Sequence, residues 1–113
     1  MTPTPISITL PIRAVSTLNT REHHFARARR AKAHRKATMA VPKMPVPCVV
    51  TLTRLGKRRL DGDNLQGALK AVRDGIADRL GVDDADPRVR WEYGQEIAKG
   101  YAVRVEIVPE VRW

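Results

Sequence analysis

Leu60-Asp61-Gly62-Asp63-Asn64-Leu65-Gln66 opens the stretch whose reading decides the fold, and Gly81 closes it. Between them Leu65, Leu69, Val72, Ile76 and Leu80 recur at helical spacing, with Ala68 filling in. That is the pattern of a helix with one face in a core. Asp63 is a good N-cap, with Gln66 three residues on in capping-box position, and Gly81 stands where a helix stop belongs.

Working outward, residues 46–53 are rich in β-branched side chains on both parities, which predicts a strand covered on both faces. Gly56-Lys57-Arg58-Arg59 makes a basic turn between that strand and the acidic motif. Downstream, Val89, Trp91 and Tyr93 alternate with Arg90 and Glu92, and Tyr101, Val103, Val105 and Ile107 alternate with Arg104 and Glu106. With Lys99-Gly100 between them, the two runs predict an antiparallel hairpin. Near the N-terminus, Ile6, Ile8 and Leu10 alternate with Ser7 and Thr9, a half-buried strand that Pro11 ends. Residues 20–38 are mostly Ala, Arg, Lys and His without Gly or Pro, a helix with a thin apolar stripe of Phe25, Ala26, Ala33 and Ala37. Pro42, Pro45 and Pro47 mark a rigid connector. The order is β-α-β-α-β-β: one small α/β (α+β) domain over residues 1–113, its helices packed on a mixed four-stranded sheet. So small a core would gain from an oligomer.

The chain has 21 Lys and Arg against 12 Asp and Glu, a formal net charge of +9, which implies a polyanionic partner. Every acidic residue except Glu22 lies after position 60. No apolar run is long enough to span a bilayer, and no basic segment with an apolar core opens the chain. Cys48 is alone in an apolar setting and reads as a small buried hydrophobe. A cytoplasmic location is expected.

Carboxylates gathered in so basic a chain need a reason. In extended backbone, Asp61 and Asp63 project to the same side, and Asp83-Asp84-Ala85-Asp86 lies beyond the helix. Mg²⁺ takes hard oxygen donors, commonly one or two carboxylates completed by water and substrate phosphate. Asp61, Asp63 and one of Asp83, Asp84 or Asp86 would suffice. The same residues read equally as helix-capping and turn residues. A calcium loop is excluded, because Gln66 and Val72 occupy the positions that need Gly and Glu. His23, His24 and His34 have no acidic or thiol partners nearby in sequence and read as part of a DNA-facing surface. For Trp91, Tyr93 and Tyr101 the alternation favours core packing over base stacking, and Asp74 and Asp78 read as ion-pair partners of Lys70 and Arg73.

The segment from Arg59 to Gln66, with Gly81-Val82-Asp83-Asp84-Ala85 after it, resembles the RusA family of Holliday junction resolvases, which carries Asp-x-Asp-Asn-Leu ahead of a helix and a closing Asp-Asp. Leu10-Pro11 and Ser16-Thr17-Leu18-Asn19 resemble that family's strand, Pro and Ser-x-Asn loop, and the basic helix follows in the same order. The resemblance implies a homodimeric, Mg²⁺-dependent (or Mn²⁺-dependent) endodeoxyribonuclease that resolves four-way DNA junctions by paired nicks, in a bacterial or phage-infected cell. It puts the metal-binding and catalytic roles on Asp61, Asp63 and Asp84. Where the family has a Lys three residues after the Asn this chain has Gly67, and Lys70, one turn further on, is the candidate to fill the role. Asn19, Arg27, Arg29, Arg30, Lys32, Arg35, Lys36, Lys57, Arg58 and Arg59 are the expected DNA contacts. The alternative is a non-catalytic basic nucleic-acid-binding module or a degenerate nuclease relative. A pure binder gains nothing from carboxylates beside phosphate, which favours the nuclease.

Overall fold

A computed structural model describes residues 4–15 and 24–110. The Ser16–Asn19 loop, His23 and Trp113 therefore lie outside the described residues. Six elements follow in order: β1 (Ile6–Leu10), α1 (His24–Ala37), β2 (Cys48–Gly56), α2 (Gly62–Leu80), β3 (Val89–Ile97) and β4 (Ala102–Pro109). A single 3₁₀ turn, Thr38–Ala40, extends α1. The β-α-β-α-β-β order and the mixed four-stranded sheet carrying two helices agree with the sequence reading.

The predicted C-terminal hairpin is not what forms. The sheet order is β1-β4-β2-β3, so β2 lies between the last two strands, parallel to β3 and antiparallel to β4. After β3 the chain crosses the end of β2, where the Ala98 amide donates to the Gly56 carbonyl at 2.8 Å. Burial explains the choice. Val103, Val105 and Ile107 are fully buried and need a central strand, whereas the outward side chains of β3 suit an edge. The β2-α2-β3 unit is a parallel pair joined by a helical crossover.

One row across the sheet runs Ile8, Val105, Leu52, Tyr93, and Val50 pairs with both Ile107 and Trp91. These side chains meet Leu65, Leu69, Val72 and Ile76 of α2 in a single core, which also takes in Cys48. Fully burying each such aliphatic side chain stabilises by about 1.5–3 kcal/mol. The expectation that β2 is covered on both faces is corrected. Of its second parity only Thr53 is buried; Val49, Thr51 and Leu55 are half-buried, beside cross-strand neighbours such as Glu92 and Glu106. β-branched residues on both parities here reflect a central strand, not a second layer.

Two further corrections concern the helices. Asp61, not Asp63, caps α2: its side chain accepts from the Asn64 amide, and Asp63 is already in the first turn. The helix starts earlier because Gly62 takes helical geometry. Gly81 does end it, in the left-handed conformation with φ 73°. In α1, Phe25 and Ala33 are exposed, while His34 is buried together with the Thr38 that follows. His34 is thus part of the packing and not of the exposed outer face of α1. With so few apolar residues in α1, the imidazole ring supplies the missing bulk. Close approach to α2 is possible because Gly75 has no side chain; a Cβ there would overlap the Thr38 hydroxyl.

Candidate functional site

The start of α2 stands beyond the C-terminal ends of β2 and β3, the end of parallel strands where α/β sheets commonly hold ligands. Two polar residues, paired in register, secure it: Arg54 at the end of β2 and Gln95 at the end of β3. The Gln95 amide clamps Leu60, accepting from its N–H at 2.9 Å and donating to its carbonyl at 2.7 Å. Arg54 is buried, donates to the Ala14 carbonyl at 2.8 Å and the Arg58 carbonyl at 2.6 Å, and so ties the basic turn to the segment after β1. Burial pulls its pKa down, and the nearby Tyr101 opposes that shift. Gly56 is required here, since a Cβ would stand 2.8 Å from the Arg54 guanidinium. Tyr101 is not a core residue; it lies under Arg13, 4.4 Å from the ring centre.

Asp61 follows the clamped Leu60. One carboxylate oxygen accepts from the Asn64 backbone N–H and the other from the Asn64 side-chain amide, both at 3.0 Å. Asp63, one residue into the helix, is exposed. Asp63, Lys70 and the intervening Gln66 and Gly67 share one face, with Lys70 about 10 Å along the axis at 1.5 Å per residue.

The loop after α2 returns to this face. The Asp84 carbonyl accepts from Arg73 Nη2 at 2.7 Å and from the Trp91 indole at 3.1 Å, which fixes the backbone. The Asp84 carboxylate then stands 3.6 Å from Arg73 Nε and 3.9 Å from Lys70 Nζ, too far for hydrogen bonds. Its neighbours do other work. Asp83 caps the turn through the Ala85 amide, and Asp86 is bound to Arg88, which holds its pKa down at about 2. Of the three, Asp84 is the one facing Lys70. A cleft of about 280 Å³ lies here, lined by Gln66, Gly67, Lys70, Arg73, Asp84 and Tyr93. Lys70 also pairs with Asp74 at 3.3 Å, as expected, but Asp78 pairs with Arg35 of α1 instead of with α2.

The expected donors therefore fall into two groups on one helix face, Asp61 with Asp63 at its start and Asp84 beside Lys70. Among the described residues no cluster of three or more His, Cys, Asp or Glu could hold a metal ion. The premise of extended backbone across Asp61 and Asp63 gives way to a capped helix start. Chemically, two carboxylates at that start remain a hard-oxygen donor set of the kind Mg²⁺ accepts with water and phosphate. Among the described residues the placement brings no third carboxylate to them.

Of the expected DNA contacts, Arg27, Arg29, Lys32, Arg35 and Lys36 are exposed on α1, Arg30 is half-buried, and Lys57, Arg58 and Arg59 are exposed before α2. Asn19 lies outside the described residues. The sequence reading missed Gln95, Arg54 and the Asn64 side chain as a donor to the capping Asp61, and took Arg73 for an ion-pair partner alone. Arg73 also stacks on Trp91 at 4.7 Å and donates to the Tyr93 hydroxyl at 2.9 Å.

His34 gives this region a pH response. Burial first, then the Arg30 charge, lowers its pKa from 6.5, and hydrogen bonding to the Arg13 backbone only partly opposes this. The unfolded chain therefore binds more protons here, so stability falls as pH drops below about 6.5 and levels out once the folded-state imidazole is protonated. Thermal melts between pH 7 and 5 should show that decline in the wild type and a flatter profile in His34→Gln. Equal profiles would rule His34 out as its source.

No helix among the described residues is long and apolar enough to cross a membrane. In comparisons with known proteins, no family model matches this chain, and no curated protein matches it.

Proposed function

We propose that this chain is a metal-dependent, structure-selective endodeoxyribonuclease similar to the RusA family, resolving four-way junctions by paired nicks in the cytoplasm of a bacterial or phage-infected cell. The observation that carries the reading is one face of α2 with exposed Asp63 and Lys70 on it, half-buried Asp84 of the following loop beside Lys70, and the strongly basic α1 alongside. Carboxylates in such surroundings repel phosphate unless a cation intervenes. Asp61 and Asp63 would hold Mg²⁺, which when bound supplies polarisation of the scissile phosphate and a lowered pKa for the attacking water. The chain's own groups do the rest. Lys70 offsets charge developing on phosphoryl oxygens. Asp84 and Asp74 flank the Lys70 ammonium at the cleft. The α1 cations and Lys57, Arg58 and Arg59 grip backbone phosphates, which position DNA without reading bases. A homodimer provides the second site that paired nicks need.

A second reading draws on Asp61, whose two oxygens both serve Asn64 as a structural cap's would. On that reading the chain is a non-catalytic basic nucleic-acid-binding module. Incubation with a labelled four-way junction in Mg²⁺ and then in EDTA separates the two. Paired, Mg²⁺-dependent nicks support the nuclease, uncoupled single nicks argue against the homodimer, and binding without cleavage leaves the module.

A further inference from the structure

We infer that the groove between α1 and α2 seats one unpaired strand of nucleic acid, and that Gly67 is the saddle over which this strand reaches Lys70 and Asp84. The inference deepens the function proposed above by specifying the path and the form of the substrate.

The groove has a volume of about 360 Å³, at the low end for a small-ligand site. Among the described residues, Arg27, Arg30, Arg35 and Lys70 line it with one carboxylate, Asp74, and Ala71 and Gly67 help form its floor. Gly67 and Lys70 also line the cleft that holds Asp84, so the two cavities adjoin. At Gly67 no side chain stands between them. Small residues below and cations above make a channel suited to a polyanionic chain.

The dimensions select the form of that chain. A recess of about 360 Å³ between α1 and α2 is too small to admit a duplex. A duplex presents its phosphates on a convex surface and rests on the outer face of α1. A strand released from its partner can enter, as in proteins that follow a single-stranded backbone along a positively charged groove with aromatic rings for the bases. Tyr93 supplies a ring in the second cleft, its hydroxyl fixed by Arg73. Branch points are where duplex DNA offers such a strand.

Fluorescence anisotropy in EDTA tests this without cleavage, using a labelled single-stranded oligonucleotide and a blunt duplex of the same sequence. Arg27→Gln and Arg29→Gln each remove one exposed positive charge from α1, and only Arg27 lines the groove. Arg27→Gln should weaken single-strand binding about tenfold, the scale of one charged hydrogen bond, and duplex binding much less. Arg29→Gln should weaken both probes alike. Ala71→Phe, which fills the floor without changing charge, should weaken the single strand by a similar factor and leave the salt dependence of duplex binding unchanged. Equal losses on both probes in Arg27→Gln, wild-type single-strand affinity in Ala71→Phe, or no single-strand binding by the wild type would each overturn the inference. Junction cleavage together with those results would retain the nuclease and remove the groove. The expected binding pattern without cleavage would retain the groove and remove the nuclease.

Discussion

Asp63→Asn should reduce Mg²⁺-dependent junction cleavage by about a thousandfold or more, while binding holds or tightens. A metal centre contributes several kcal/mol to the barrier, and each 1.36 kcal/mol is a factor of ten. Removing one negative charge beside phosphate also relieves repulsion, so affinity does not fall. The structure makes Asp63 a cleaner probe than Asp61. Asp63 is exposed in the first turn, and its side chain makes no hydrogen bond or ion pair among the described residues. Asp61→Asn should be as damaging to cleavage, but it also places two amide groups face to face where the Asn64 side chain now donates to a carboxylate. Asn is itself a good N-cap, so the stability loss is of the order of 1 kcal/mol. Single-turnover cleavage and melting temperature, measured together, separate the two effects. If Asp63→Asn cuts at the wild-type rate, the catalytic assignment is wrong, and Asp61 is left as a helix cap.

What was legible in the sequence was whatever periodicity carries. The apolar spacing from Leu65 to Leu80 and the strand alternations located the four strands and two helices. Gly81 ended α2 where its lack of a side chain suggested. Alternation shows which side chains share a face, but not which strand lies beside which, so β3 and β4 read as a hairpin although β2 separates them. Capping by Asp61 or by Asp63 looks the same in sequence, because both precede an apolar run at acceptable spacing. The difference is set by the Gln95 clamp on Leu60, a long-range contact with no local signal. A trace of it was present. Cys48, Val50 and Leu52 lead to Arg54 on one parity of β2, and Val89, Trp91 and Tyr93 lead to Gln95 on one parity of β3. A core-facing parity that turns polar at the same end of two strands marks the end at which polar groups are needed. In this fold that end is where α2 begins.

The acidic motif was readable as a set of donors, but its geometry was not. Whether Asp84 joins Asp61 and Asp63 depends on how the loop after Gly81 folds back. Arg73 and Trp91 bring it to the middle of α2, not to its start. That placement moves the emphasis to Lys70, which no local pattern distinguishes from any exposed lysine that has an acid four residues on.

Lys70→Ala should slow cleavage by about a hundredfold, the scale of losing one donor that stabilises developing charge. Lys70 Nζ lies 3.3 Å from Asp74 and 3.9 Å from Asp84, on the rim shared by the groove and the cleft, and the side chain is largely exposed. Exposed pairs of this kind contribute well under about 1 kcal/mol to stability, so the melting temperature should barely move. Asp74→Asn provides the counterpart. If Lys70 acts on phosphate, releasing it from Asp74 should leave cleavage at or above the wild-type rate, in contrast to the loss in Lys70→Ala. If Lys70 serves only as the partner of Asp74, neither substitution changes the rate. Wild-type cutting by Lys70→Ala would then move the charge-stabilising role to the basic turn, where Lys57 and Arg58 are exposed and Arg54 holds the backbone carbonyl of Arg58.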